Sequence, residues 1–295
     1  MVRVFPPASR ALFHILVQSQ YTTLPFPEGA RGGTTTNYEP RETNHESRIT
    51  VLAAGQGWLV VEKPSGMSVQ EERGRDLRSV LTSQIETDPD LKAEIDCDPA
   101  FGIQPVHRLD RETSGVMLLA CRPKTFSYFA RQFEHHKVRK RYVALLHGEL
   151  PEPGGEGGWG KWTWPLSKEA GGRLHPEGAG ETVPAETRFR VLRRSARYTL
   201  IECELLTGRK HQIRRHARLA GHAVAGDTRY GTARSVAFLR EERGFTRLAL
   251  HALSLQVQPP RAVAPEVFRS PAVPPEILRL LDEEAPPGPI VPGEL

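Results

Sequence analysis

The first apolar run with defined edges is Trp58-Leu59-Val60-Val61, stopped by Lys63-Pro64-Ser65-Gly66, a pattern that predicts a buried strand entering a turn. Residues 74–98 read as a helix followed by an acidic loop. Gly115–Cys121 predicts a second buried strand, Lys124–His135 a helix and Lys140–His147 a third strand. Strands follow around Glu186–Arg193 and Tyr198–Leu206; in the latter Thr199, Ile201, Cys203 and Leu205 share one face at period two. Lys210–Ala220 is then a helix, with Ile213, Ala217 and Ala220 three and four residues apart and arginines and histidines around them. Strands and helices in this irregular order predict an α+β domain on a mixed sheet.

The interruptions suggest the boundaries. Residues 1–48 mix Pro, Gly, Thr and Arg without periodicity and are expected to be a disordered or loosely attached extension. Its mostly apolar residues 11–17, with Arg3 and Arg10, make only a weak organelle-targeting pattern. The expected domain runs over 49–258 and carries a Gly/Pro-rich insertion at 148–183 that holds Trp159, Trp162 and Trp164. Residues 259–295 read as a Pro-rich tail, apart from an amphipathic piece at Glu276–Asp282.

Charge changes the picture more than composition does. The 295 residues carry a net charge of +5, but residues 107–250 hold 27 Lys/Arg against 15 Asp/Glu, while the remainder holds 13 against 20. A strongly basic middle points to a polyanionic partner such as nucleic acid. No run approaches the roughly 18–20 apolar residues that cross a bilayer. Cys97, Cys121 and Cys203 are too few and too far apart for a disulfide framework or a zinc site, so reduced thiols in a cytoplasmic protein are expected. The histidines also lack metal-ligand spacing, and no metal is expected.

Two segments carry candidate chemistry. His107-Arg108-Leu109-Asp110-Arg111-Glu112-Thr113-Ser114-Gly115 sets a carboxylate among arginines just before a strand, and Leu206–Arg214 turns at Gly208 from a strand into a basic helix start. From charge and spacing alone, Asp110 reads as a surface ion-pair partner and Gly208 as a plain turn residue.

Together these strings do more. Lys63-Pro64-Ser65-Gly66, His107–Gly115, Lys140-Arg141-Tyr142 and Thr207–Arg214, continued by Gly221-His222 and Gly226-Asp227-Thr228-Arg229-Tyr230-Gly231, resemble in order the motifs of the RluA branch of RNA pseudouridine synthases. The resemblance covers about 50–258 and implies a mixed, largely antiparallel sheet flanked by helices and loops. It implies isomerisation of uridine in tRNA or rRNA after the target nucleotide is flipped out of its stack, with no cofactor. Asp110 matches the catalytic carboxylate, acting as nucleophile at the sugar or as base at the 2′ position. Arg214 matches its arginine partner, and Tyr142 the tyrosine that packs on the uracil, placed to take the C5 proton. Arg108 matches the residue that fills the gap left by the flipped base. His107, Arg111, Lys140, Arg209, Lys210 and Arg215 are expected along the RNA backbone.

Two departures are noted: Ala223 stands where the family has proline, and Gln70 where a histidine is usual. Residues 1–48 are short for the small basic RNA-binding domain that many relatives carry, so the chain resembles the stand-alone subgroup, and a monomer is expected. Lys210-His-Gln-Ile-Arg-Arg-His216 leans towards the tRNA-modifying members. The alternative from another class, a catalytically idle RNA-binding protein, would predict a lost aspartate, tyrosine or arginine, and all three are present.

Overall fold

The computed structural model describes residues 48–283; the rest of the N-terminal extension, including its targeting pattern, and residues 284–295 lie outside them. The chain opens with the hairpin β1 (Thr50–Gly55) and β2 (Trp58–Lys63), followed by α1 (Leu77–Glu86) and α2 (Pro89–Ile95). A two-residue β3 (Gln104–Pro105) precedes β4 (Ser114–Ala120), α3 (Pro123–Glu134) and β5 (Arg139–His147). The Gly/Pro-rich stretch holds β6 (Gly160–Trp162), β7 (Leu166–Ser167) and β8 (Thr182–Val183), and β9 (Thr187–Arg194) and β10 (Tyr198–Leu205) come next. After α4 (Gln212–Leu219) and α5 (Ala233–Arg243) the chain returns through β11 (Leu250–Val257), β12 (Glu266–Arg269) and α6 (Pro275–Glu283).

One sheet runs in the order β1-β2-β4-β11-β5-β10-β9-β6, with β3 added to β4 and β12 to β11. Its pairings are antiparallel except β4 with β11, so the fold is α+β on a mixed, largely antiparallel sheet. Trp58, Val60, Val116, Leu118, Leu255, Val257 and Phe268 from the sheet pack against Phe129 of α3 as one apolar cluster.

The join between β4 and β11 positions the site. The two strands touch only where Ser114 and Gly115 meet His251 and Ala252, and then part. β3 takes the far end of β4, and the loop 106–113 runs from there back to the join. The approach at the join is close. A Cβ on Gly115 would lie 2.2 Å from the Ala252 carbonyl oxygen, and its φ of 111° suits glycine alone.

Two expectations are corrected. The stretch 74–98 forms two helices, because Asp88 accepts from the Leu91 N–H at 3.1 Å and Pro89 fills the first helical position, where no N–H is needed. The boundary at 258 falls inside the sheet: β12 pairs with β11 from Ser254 to Val257, and α6 buries Ile277, Leu280 and Leu281.

Candidate active site

The loop 106–113 is held by the turn that follows β2. Lys63, fully buried, donates from Nζ to the carbonyl oxygens of Pro64 (2.9 Å), Met67 (2.8 Å) and Arg111 (2.9 Å). Ser65 Oγ donates to Glu112 O at 2.7 Å, and the Gly66 N–H to Arg111 O at 2.9 Å. Burial lowers the Lys63 pKa to about 8, while the charges of Asp110 and Glu112 act to raise it. The Lys63–Gly66 string is thus a clamp on the backbone that presents Asp110.

α4 supplies the facing side. Gln212 staples its start: Oε1 accepts from Thr207 Oγ1 (2.7 Å) and the Arg209 N–H (2.9 Å), and Nε2 donates to Glu186 O and Thr187 Oγ1. This aims Arg214 at the loop. Arg214 Nη1 lies 3.4 Å from Asp110 Oδ2 and 3.3 Å from Glu112 Oε2, while Nε and Nη2 bind both oxygens of Asp227 at 2.7 and 2.9 Å. His211 Nε2 stands 3.7 Å from Asp110 Oδ1, and its Nδ1 lies 3.0 Å from the Tyr230 hydroxyl oxygen. Burial raises the Asp110 pKa above its ordinary 3.8, against the pull of Arg214 and Arg108. Burial would lower that of Arg214, but the hydrogen bonds and charge of Asp227 reverse the shift, so the guanidinium stays charged.

Two concavities meet at Asp110. One, of about 690 Å³, is lined by Arg108, Asp110, Arg111, Lys210, Arg214 and Arg229 among others. The second, of about 320 Å³, adds Lys140, Tyr142, Arg209, Ile213 and Leu250. Such volumes suit a small ligand or a nucleotide. Burial, followed by the Asp110 charge, pushes the Tyr142 pKa upward and keeps its phenol neutral.

The structure therefore brings Asp110, Tyr142, Arg214, Arg108, Arg111, Lys140, Arg209 and Lys210 to one cleft. Two residues expected to touch RNA do something else. Arg215, on α4, is fully buried and donates to the carbonyl oxygens of Ser167, Pro176, Glu177 and Lys210, which occupies four of its five N–H groups and keeps the guanidinium inside the protein, away from phosphate. His107 lines the cleft, but its Nε2 accepts from the Leu118 N–H at 3.0 Å and its ring stacks on Phe133 at 5.1 Å. Burial, helped by Lys140, lowers its pKa to about 3, so it offers no positive charge.

Other basic clusters also turn away from the cleft. Arg141 precedes Tyr142 on a strand, so their side chains leave opposite faces. Arg141 and Arg190 pair with the buried Glu202, and Arg139 and Arg188 with the buried Glu204. Trp159 lies over Arg141, Arg188 and Arg190 at 5.9, 4.9 and 5.1 Å. Trp162 is buried on Phe189, and Trp164 stands edge-on to His216. Sequence reasoning gave no role to Glu112 or Lys63, nor to Asp227, His211 and Tyr230 as partners of the site. The motif strings contain all five, but their pairing is visible only after folding.

Fold and cleft together define a protein of the pseudouridine synthase class. The RNA pseudouridylate synthase profile matches residues 57–219, more than half of the chain, and the chain belongs to that family. Ribosomal large subunit pseudouridine synthase C of Vibrio vulnificus is 33% identical over 216 residues, 72% of this chain and 62% of that protein. tRNA pseudouridine synthase C of Haemophilus ducreyi is 31% identical over 227 residues, 73% of this chain and 87% of that one. The chain spans about three-fifths of the length of the Vibrio relatives it matches. Among solved structures, human RNA Pseudouridylate Synthase Domain Containing 4 superposes with a TM-score of 0.59 at 23% identity, covering 79% of this chain and 93% of that one, a likeness of fold.

Proposed function

We propose that the chain isomerises a uridine in RNA to pseudouridine, with Asp110 as the catalytic carboxylate and no cofactor. The observation that carries this reading is the placement of Asp110 at the junction of two concavities, with Arg214 at its Oδ2 and Tyr142 lining the same cavity, in a member of this family. The flipped nucleotide enters the cavity of about 320 Å³. Asp110, ionised beside Arg214, acts at C1′ or at the 2′ position. Tyr142 packs on the uracil beside the C5 proton, and Arg108, exposed at the mouth of both concavities, takes the place the base has left. Lys140, Arg209, Lys210 and Arg111 contact the phosphates around it.

The RNA is tRNA or rRNA: relatives at similar identity carry names of both kinds. The reading includes a monomer working in the cytoplasm. Among the described residues no helix is long and apolar enough to cross a membrane.

The test is release of tritium from transcripts labelled at C5 of uridine, with Asp110→Ala alongside. Release by the parent protein and none by the variant supports the isomerase, and mapping on the active transcript names the target. No release with RNA binding intact favours an idle RNA-binding protein. Equal release from both means that Asp110 is the wrong residue.

A further inference from the structure

The histidine beside Asp110 is held under backbone strain and stands outside the roles assigned above. His211, just before α4, has φ 53° and ψ 29°, the left-handed region that non-glycine residues rarely occupy. Such outliers persist where the surroundings fix them, and they gather at functional sites. Here the conformation sends the imidazole between two partners on different elements. Its Nδ1 faces the hydroxyl of the fully buried Tyr230 at 3.0 Å, and its Nε2 faces Asp110 Oδ1 at 3.7 Å. The two rings meet edge to face, with centroids 5.8 Å apart.

Charge narrows the arrangement of protons. Burial, together with Arg214, Arg229 and Lys210, lowers the imidazole pKa to about 4, so the ring carries a single N–H near neutrality. Burial raises the Tyr230 pKa, so the phenol keeps its proton and can donate it to Nδ1. The ring proton is then on Nε2. The other tautomer would turn a lone pair towards the Asp110 carboxylate.

We propose that Tyr230 fixes His211 in the Nε2–H form, and that His211 acts as a positioning residue for Asp110, donating to Oδ1 while Arg214 holds Oδ2. With a different donor on each oxygen the carboxylate is fixed in rotation, and its attacking face is set before the nucleotide arrives. At 3.7 Å the His211 contact is longer than a hydrogen bond. Contacts of this kind tighten when substrate fills the site. The catalytic part of this proposal rests on the isomerase reading; the tautomer does not.

The test begins on the full chain labelled with ¹⁵N-histidine. Long-range ¹H–¹⁵N spectra at pH 7 separate the two neutral tautomers from imidazolium, and the signals lost in His211→Asn identify His211. Asparagine tolerates positive φ, so that variant keeps the backbone. A pyrrole-type Nε2 and a pyridine-type Nδ1 are expected, moving towards a tautomer average in Tyr230→Phe. In tritium release, Tyr230→Phe should lower kcat by about 3- to 10-fold and His211→Asn further, with KM and the RNA Kd unchanged. An Nδ1–H tautomer or an imidazolium in the parent protein overturns the proposal, and so does full kcat in Tyr230→Phe once its tautomer has shifted. If Tyr230→Phe does not fold, the parent spectrum decides. Absence of turnover in the parent protein overturns the isomerase reading and the positioning role with it, while the spectrum still reports the tautomer.

Discussion

Arg214 gives its two best hydrogen bonds to Asp227, at 2.7 and 2.9 Å, and reaches Asp110 with its remaining amino group at 3.4 Å. The planar guanidinium makes this geometry directional. Once Nε and Nη2 are fixed on one carboxylate, the position of Nη1 follows. Asp227 is itself fixed by accepting from the backbone N–H groups of Arg229 and Tyr230, both at 2.9 Å. Asp227 thus orients the arginine, and Asp110 and Glu112 share what is left of it.

Replacing Asp227 with Asn keeps an acceptor for the two backbone amides but removes the charge. Breaking a buried pair costs about 3–5 kcal/mol, and the retained acceptor reduces that to about 2–3 kcal/mol. Asp227→Asn should therefore lower Tm by roughly 5–10 °C. It should also lower kcat by at least tenfold with RNA affinity unchanged, as read by melts, tritium release and filter binding. Parent-like kcat would mean that Arg214 reaches Asp110 without this support.

The pH profile of kcat/KM follows from the Asp110 environment. Burial raises its pKa above 3.8, and the reaction needs the ionised form. Activity should then be full at neutral pH and fall as pH drops through a value above that of an ordinary aspartate. In Arg214→Gln the larger of the two favourable cations is gone, so the residual activity should show an acid limb displaced still higher. A variant limb at or below the parent limb would contradict the pairing.

The motif strings were legible because each joins a reactive residue to the backbone that presents it, as Lys63–Gly66 and His107–Gly115 do. Strands β11 and β1 were harder to read. In β11 a bulge between Ala252 and Ser254 shifts the alternation by one residue, so no single period runs through Leu250–Val257. β1 carries a similar bulge between Val51 and Ala53, and α5 buries only Leu239, too little for a helical stripe. Arg215 was misread for another reason. Three of its four carbonyl acceptors come from residues 38–48 positions upstream, a relationship that local charge cannot reveal.

That difference separates two basic neighbours. Lys210 is exposed in the cleft, so Lys210→Ala should weaken RNA binding and reduce the salt slope of log Kd by about 1. Arg215→Ala should leave the salt slope unchanged while stripping the donors that hold residues 167–177, with four carbonyls losing their partner. Its Tm should fall by roughly 5–10 °C. A reduced salt slope in Arg215→Ala would restore it to the RNA surface.

A second, half-buried carboxylate predicts how stability depends on pH. Glu62 Oε1 accepts from Ser270 Oγ at 3.1 Å and lies 3.7 Å from His251 Nε2, while Oε2 has no hydrogen-bond partner among the described residues. Burial raises its pKa from 4.5 to about 7, against the pull of Ser270 and Arg247. Between those values the folded chain binds more protons at this site than the unfolded chain, so the site loses stability as pH rises and is fully penalised above about 7. His251, held neutral by burial and by Arg247 with a pKa of about 3, contributes the opposite slope between that value and 6.5. The comparison must therefore be made against Glu62→Gln, which leaves His251 in place. The variant should match the parent near pH 4.5 and exceed it at pH 8 by on the order of 2–3 kcal/mol, or roughly 5–10 °C in Tm. A gap that stays constant across this range would mean that Glu62 does not change its protonation on folding, and that its unpartnered oxygen is hydrated in solution.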